Sequence, residues 1–419
     1  MAQLSDDCFA FGGALLGIDA ALALIAERVA PVVEPQAVAL TAAAGRILAQ
    51  DLVAPIDVPP HANSAVDGYA LAHADLSPER ETVLPVGGRA AAGHPLGRAL
   101  RQGEAVRIFT GAPMPDGADT VMMQEDCVAE AGAVRLKPGI KKGANRRGAG
   151  EDIARGSIAL SAGRRLKPAD LGLAAALGCD RLIVYRPLRV ALLSTGDEVR
   201  DPGAPLPPGT IYDANRAMLT ALLCGLGCAV TDLGICADRA AMLADTLAGA
   251  AAAHDLIVTS GGVSTGEEDH VRAAIEQLGR LDFWRLAIKP GRPVALGQVR
   301  GVPLIALPGN PVAAALTFAI LARPMILRLA GAVPPPPLTF TVAAGFSHRK
   351  KAGRREYLRA CLERNDRGAS VARKFVRDGA GILSSIVQSH GFAVLDESLD
   401  DIAPGTAIEF LPFSEVFGP

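Results

Sequence analysis

Rings are scarce in this chain: aromatic residues make up 4% of 419, with a single tryptophan. Hydrophobic residues nevertheless reach 50%, so the burial of a folded core falls to aliphatic side chains. Net charge is lacking too, since 42 Lys and Arg stand against 44 Asp and Glu, a balance of −2. No overall field draws such a chain to nucleic acid or to an acidic membrane, and any anion it binds must be held by a local constellation. Paired cysteines are missing as well. Cys8, Cys127, Cys179, Cys224, Cys228, Cys236 and Cys361 are odd in number and scattered, and Cys224 with Cys228 lacks the companion ligands of a zinc site. Free thiols in a reducing cytoplasm are the expectation. The start of the chain carries Asp6 and Asp7 where an export signal would carry positive charge. The apolar run 312–322 stops at Arg323-Pro324 and reads as a buried helix rather than a membrane span. His61 and His270 stand apart from any nucleophile, so no Ser-His-Asp or Cys-His mechanism is supported.

What is present points to several domains, because a chain of 419 residues outgrows one core. Ile18, Leu22, Ile25 and Val29 recur at helical spacing ahead of Pro31. From residue 55 to 152 short β-type runs, at 105–109 and 120–123, alternate with Gly- and Pro-rich turns. A second helical piece, 168–177, follows, so this β module reads as an insertion between two halves of a helical domain. From Arg189 the pattern turns to strand, loop, helix. Strands are expected at 190–193, 230–235, 256–259, 283–288 and 302–307, and helices at 214–226, 239–252, 268–278 and 312–329. Such alternation argues for a mostly parallel sheet covered on both faces. Pro334-Pro335-Pro336-Pro337 is a stiff spacer. Beyond it, short β candidates at 338–342, 357–362, 391–395 and 407–411 suggest a small barrel or sandwich.

Open parallel sheets bind ligands beyond the carboxyl ends of their strands. Four unusual loops follow expected strands: Ser194-Thr195-Gly196-Asp197-Glu198, the run from Ser260-Gly261-Gly262 through Ser264 to Glu267-Glu268-Asp269, Lys289-Pro290-Gly291-Arg292-Pro293, and Leu307-Pro308-Gly309-Asn310-Pro311. Ser260-Gly261-Gly262 frees backbone N–H groups to approach an anion. The acids beside it repel a bare phosphate unless a divalent cation intervenes, and carboxylates with phosphate form the usual Mg²⁺ environment. Glu198 and Asp269 are the metal candidates, although both also suit helix caps. Arg285, Lys289 and Arg292 crowd one turn, as oxyanion ligands or as solvated surface charge. In the β module, Asp67 reads as a catalytic carboxylate or as an Asx-turn residue. Thr110 and the Gly150-Glu151-Asp152 run are as ambiguous, and Arg146-Arg147 reads as surface charge.

The segments SAVDGYA (64–70), FTGAPMP (109–115), GED (150–152), STGDE (194–198), SGGVSTGEEDH (260–270), KPGRP (289–293) and LPGNP (307–311) occur in an order that resembles the molybdopterin molybdenumtransferase family. That family comprises bacterial MoeA and the E domain of gephyrin and its plant relatives. The resemblance spans nearly the whole chain. It implies a multidomain α/β plus β architecture: a segmented helical/β domain (11–54 and 153–186), an inserted β-rich domain (55–152), a three-layer α/β domain (187–332) and a C-terminal β-barrel (338–419). It also implies a homodimer whose active cleft lies between the α/β domain of one subunit and β modules of the other. There adenylylated molybdopterin and molybdate would react with Mg²⁺ as cofactor, releasing AMP and leaving molybdenum on the dithiolene. Positions matching the family's functional residues are Asp67, Thr110, Asp152, Glu198, Asp269 and Lys289 as catalytic candidates. Asp238, Ser264, Pro308, Arg359 and Ser385 (or Ser384) match its substrate or oxyanion positions, and Ser260, Gly261, Gly262, Arg285, Arg292, Asn310 and Pro311 join them as substrate-binding candidates from the loops themselves.

The chain departs from the family at Val66, where Met is usual, at Arg285, where some members have Lys, and at Ala313, which replaces a Ser near the oxyanion. The neighbouring readings are a molybdopterin adenylyltransferase, a tungstate-specialised paralogue and a non-enzymatic scaffold. The extra β modules favour metal insertion over adenylylation, and no long linker supports a scaffold. Partners follow from that choice: an upstream adenylyltransferase and downstream cofactor-handling proteins, with no nucleic acid and no membrane.

Overall fold

A computed structural model describes residues 15–418 apart from 238, 262–269, 292 and 367. The helix expected from the Ile18 spacing forms at Ile18–Arg28 and buries Ile18, Ala21 and Ile25. It packs on Arg323–Leu329, where Val32 N–H donates to Leu329 O at 2.9 Å. Strand Pro35–Ala39 pairs antiparallel with Arg181–Tyr185, and Leu52–Val53 with Ile158–Leu160. The chain between them therefore leaves and returns through paired strands. That excursion holds a six-stranded sheet in the order Thr120–Met123, Gly68–Leu71, Ala105–Ile108, Thr82–Ala90, Ala133–Leu136, Cys127–Glu130.

The largest core belongs to a three-layer unit, whose elements alone are numbered here. Its strands are β1 (Arg189–Thr195), β2 (Ala229–Cys236), β3 (Leu256–Ser260), β4 (Gly279–Arg285), β5 (Pro293–Val299) and β6 (Val302–Leu307), with helices α1 (Ala214–Gly225), α2 (Ala240–Ala253), α3 (His270–Leu278) and α4 (Pro311–Thr317). Sheet order is β2-β1-β3-β6-β5-β4. Strands β2, β1, β3 and β6 are parallel, and β5 is antiparallel to both neighbours. β4 thus runs with the majority. Successive residues of β1 face opposite layers: Val190 and Leu192 meet Leu219 and Leu223 of α1, while Ala191 and Leu193 meet Leu243 and Leu247 of α2. Burial on both faces explains why these strands read as continuous apolar runs.

Two features depart from the sequence reading. β5 was not foreseen, because Pro293 and Gly297 break the look of a strand and the turn joining it to β6 is two residues long. Arg300 and Gly301 take φ of 50° and 80°, the twist that tight hairpins favour. The strand expected at 283–288 ends instead at Arg285, and Ile288–Lys289 joins the C-terminal barrel beside Arg355 and Glu356.

The helix expected at 312–329 forms and continues past Arg323-Pro324, where the apolar run breaks. It runs from Pro311 to Leu329 through a π turn at Phe318–Ala322, and the wider turn accommodates a proline that lacks an N–H. Its length and mean hydropathy of 1.7 suffice for a membrane span, yet 83% of it is buried inside the protein. It is a core helix.

Beyond the proline spacer, five strands close a ring. Arg355–Arg364 pairs with Ser370–Lys374, then Phe340–Ala344, Ala407–Pro412 and Gly391–Leu395 lead back to the first. Leu358, Ala360, Ala393 and Phe410 fill the interior of this barrel. The six described cysteines are free.

Candidate functional site

The loops after β1, β3 and β6 converge on a cleft of about 480 Å³ at the carboxyl edge of the sheet. Glycine makes their close approach possible. Gly261 has φ +85°, and a Cβ there would lie 2.7 Å from the Thr195 carbonyl oxygen. Gly196, at φ +135°, gives way in the same manner to the Glu198 carboxylate. Glu198 borders the cleft, and no described residue is hydrogen-bonded or ion-paired with its carboxylate.

The start of α1 ties the loops together. Asp213 caps the helix, its Oδ1 accepting the Arg216 N–H at 3.0 Å. Asn215 uses both amide hydrogens, one on Ser260 Oγ at 2.8 Å and one on Gly309 O at 2.7 Å. Four buried atoms on residues that line the cleft have no hydrogen-bond partner among the described residues: Ser194 Oγ, Thr195 Oγ1, Asp213 Oδ2 and Asn215 Oδ1. Buried polar atoms left without partners are rare in folded proteins, and each asks for an explanation. Ile211 and Tyr212 form an exposed apolar wall of the cleft, on a segment paired in parallel with Val199–Arg200. Buried Arg216 holds that segment by ion pairs to Asp201 and Asp213, with a further pair to Asp232 of β2.

The barrel closes one side. Gly381 lines the cleft, and Val312 N–H at the head of α4 donates to Ala380 O at 2.9 Å. Arg359 and Ser385 stand behind this loop. Both are buried; Arg359 Nε donates to Ser385 Oγ at 2.9 Å, and Nη2 reaches Gly379 O at 3.2 Å. Burial depresses the Arg359 pKa, as expected of a guanidinium taken out of water.

Of the residues singled out from the sequence, Glu198, Ser260, Gly261, Asn310 and Pro311 line the cleft. Asp238, Gly262, Ser264, Asp269 and Arg292 lie outside the described residues. Arg285 is exposed at the end of β4 and Pro308 is half-buried ahead of Gly309. Lys289 is not part of the cleft wall. Its Nζ sits 3.2 Å from Glu356 Oε2, and His348 Nε2 lies 3.0 Å from the same oxygen. Asp67 and Thr110 meet in the inserted module, where Thr110 N–H and Oγ1 both donate to Asp67 Oδ1 at 2.8 Å. Those bonds, backbone first, pull the Asp67 carboxyl below the usual range. Asp67 is therefore a bound acceptor, not a self-satisfied turn residue. Beside it, Arg89 and Arg107 lie over the Phe109 ring, at 4.7 and 4.8 Å from its centroid. Arg146 and Arg147 pair with Ser64 and Asn63, and Asp152 is exposed nearby in sequence. None of these inserted-module residues lines the cleft.

Sequence reasoning passed over Asp213 and Asn215. The signal was present as an acid directly ahead of a helical pattern with Arg three residues on, the form of an N-cap.

Family models match in chain order: the MoeA N-terminal region (domain I and II) over residues 16–178, a probable molybdopterin binding domain over 191–328, and the MoeA C-terminal region (domain IV) over 341–413. A molybdopterin molybdenumtransferase from Haemophilus influenzae is 37% identical, with 96% of this chain and 100% of that protein covered. Molybdopterin molybdenumtransferase 2 from Mycobacterium tuberculosis is 36% identical, over 90% of this chain and 94% of that one. The crystal structure of a molybdopterin biosynthesis MoeA protein from Pyrococcus horikoshii superposes with a TM-score of 0.76 at 30% identity, covering 95% of this chain and 99% of that one. With its segmented N-terminal region, three-layer α/β unit and closed barrel in the same order, this chain belongs to the molybdopterin molybdenumtransferase family.

Proposed function

We propose that this chain inserts molybdenum from molybdate into adenylylated molybdopterin, releasing AMP and yielding the molybdenum cofactor. The observation that carries the reading is the glycine-walled cleft, with its unpartnered polar floor, in a chain whose relatives bear that activity along their full length. Cleavage of a phosphoanhydride needs positioning and charge neutralisation more than a protein nucleophile. Gly261 lets backbone approach the substrate closely, and the apolar Ile211–Tyr212 wall suits a flat ring.

The residues present fit Mg²⁺. The Glu198 carboxylate borders the cleft free of any described partner, and this ion takes one or two carboxylates together with substrate phosphate oxygens. Glu198 would hold it, with Asp269 as the second candidate, and when bound it would neutralise phosphate charge. The attacking oxygen comes from water or from molybdate. Asp67 and Thr110, which do not line this cleft, enter the reaction from a second copy. The working form is thus a homodimer in the cytoplasm, fed by an adenylyltransferase and drained by cofactor-handling proteins. Lys289, held by Glu356, and Arg359, behind the Gly379 loop, stand on the oxyanion side.

A molybdate-dependent AMP-release assay on the purified chain, with tungstate in parallel, tests this. AMP appearing only with the oxyanion supports insertion. ATP consumption without molybdate overturns it in favour of adenylylation, and equal rates with tungstate remove the preference for molybdenum.

A further inference from the structure

The cleft floor has a polarity of its own. Asn215 is 7% exposed, and both its amide hydrogens are consumed by Ser260 Oγ and Gly309 O. A carbonyl only accepts, so the nitrogen must face Gly309 and the amide oxygen must face away from it. That oxygen has no hydrogen-bond partner among the described residues. Asp213, 6% exposed, likewise spends one oxygen on the helix cap and leaves Oδ2 without a hydrogen bond among the described residues; Arg216 Nε stands 3.5 Å from it. Two acceptors from the first turn of one helix are therefore left without a hydrogen bond among the described residues, both on residues of the cleft wall, beside the unpartnered hydroxyls of Ser194 and Thr195.

Acceptors repel phosphate and attract N–H groups. A substrate made of a pterin, a phosphoanhydride and an adenosine offers two flat rings. On the pterin a ring N–H lies next to an exocyclic amine, two donors side by side. On adenine the amine is flanked by bare ring nitrogens, which are acceptors. Only the first edge matches a carboxylate and an amide oxygen together. We propose that Asp213 and Asn215 are specificity-determining residues that read the paired N–H donors of the pterin edge, with Ile211 and Tyr212 against the ring face. The assignment rests on the molybdopterin reading given above and fixes the substrate's direction: pterin at the floor, phosphates toward the Gly261 loop.

The test uses equilibrium binding to the full chain, followed by the ligands' own fluorescence. The probes are pterin, with its 2-amino group, and lumazine, in which an oxo group replaces that amine. Wild-type protein should bind pterin at least tenfold more tightly than lumazine, the discrimination that one well-made polar pair supplies. Asp213→Asn keeps a competent helix cap but turns one acceptor into a donor, so it should weaken pterin at least tenfold and strengthen lumazine. Equal binding of the two probes by wild-type protein overturns the proposal without any variant. So does an Asp213→Asn protein with unchanged melting temperature and unchanged pterin affinity. AMP that competes with pterin and loses affinity in Asp213→Asn would assign the floor to adenine instead. Molybdate-dependent AMP release measured on the same preparations separates these failures from a failure of the insertion reading.

Discussion

Replacing Gly261 by alanine strikes a tight backbone approach in the cleft. At φ +85° a Cβ costs about 1–2 kcal/mol from backbone strain alone. The same Cβ falls 2.7 Å from the Thr195 carbonyl oxygen, whereas carbon–oxygen contacts of this kind settle near ~3.3 Å. The β1 and β3 loops must then part by roughly 0.6 Å, and overpacking of that order adds about 1–3 kcal/mol. Gly309→Ala is the matched control. It sits in the same cleft at a φ outside the left-handed region, and among the described residues its Cβ would find only Gly261 Cα, at 3.8 Å. Its expected cost is within about 0.5 kcal/mol.

Displacing a substrate-positioning group by about 1 Å is worth about 100-fold in rate. Gly261→Ala should therefore lose about ten- to 100-fold in single-turnover AMP release, while Gly309→Ala stays within about threefold. Thermal melts run alongside report the stability difference between the two. A Gly261→Ala protein that melts and turns over like the parent refutes the argument, as does a Gly309→Ala protein that is the worse of the pair.

Burial opposes the charge of Asp255, 3% exposed, but bonds from Arg186 and Arg189 outweigh that cost and hold its carboxyl down to about 2. A depressed carboxyl stabilises the fold above its unfolded pKa near ~3.9 and loses that support as pH falls toward 2, so melting temperature should drop across this window, and Asp255→Asn should flatten the profile at a cost of about 2–3 kcal/mol at neutral pH; an unchanged profile removes the role. Thr110→Val deletes one of two donors to Asp67 and should slow AMP release several-fold without moving the melt, and a loss equal in the Asp67→Asn background would deny that the pair acts as a unit. Mixing Asp67→Asn and Glu198→Gln copies, each inactive alone, should restore about a quarter of wild-type activity if one site draws on two chains; no recovery after subunit exchange contradicts a shared site.

The strand–loop–helix alternation made the edge bearing the loops legible, because buried strands announce themselves as apolar runs and Gly-Pro turns mark where each ends. Glu198, Ser260, Gly261, Asn310 and Pro311 duly came together. What stayed hidden depends on partners remote in the chain. Glu356 lies 67 residues beyond the Lys289 it holds, so nothing local to the KPGRP turn betrays the ion pair. β5 hid because proline and glycine interrupt it while a flanking strand on each side supplies its order. Asn215 looked like any polar residue in a helix, and its importance rests on two bonds to loops 45 and 94 residues away.

The distribution of charge argues for a second copy at the site. Within one chain the cleft presents Glu198, Asp213 and the Asn215 oxygen, all acceptors, and the cation nearest by sequence motif, Lys289, is occupied by Glu356. Linked phosphates and an incoming oxyanion call for cations, and none of the described residues of the cleft wall is one. The inserted module carries the opposite assortment, with Arg89 and Arg107 stacked on Phe109 beside Asp67 and Thr110, and Arg146 and Arg147 exposed on the adjoining strand. Arginine in planar, stacked settings suits phosphate and oxyanion geometry. An acceptor-rich cleft and a guanidinium-rich module on the same chain, with no inserted-module residue in the cleft wall, would complement each other in the homodimer proposed above, and the mixed-copy experiment tests that complementarity.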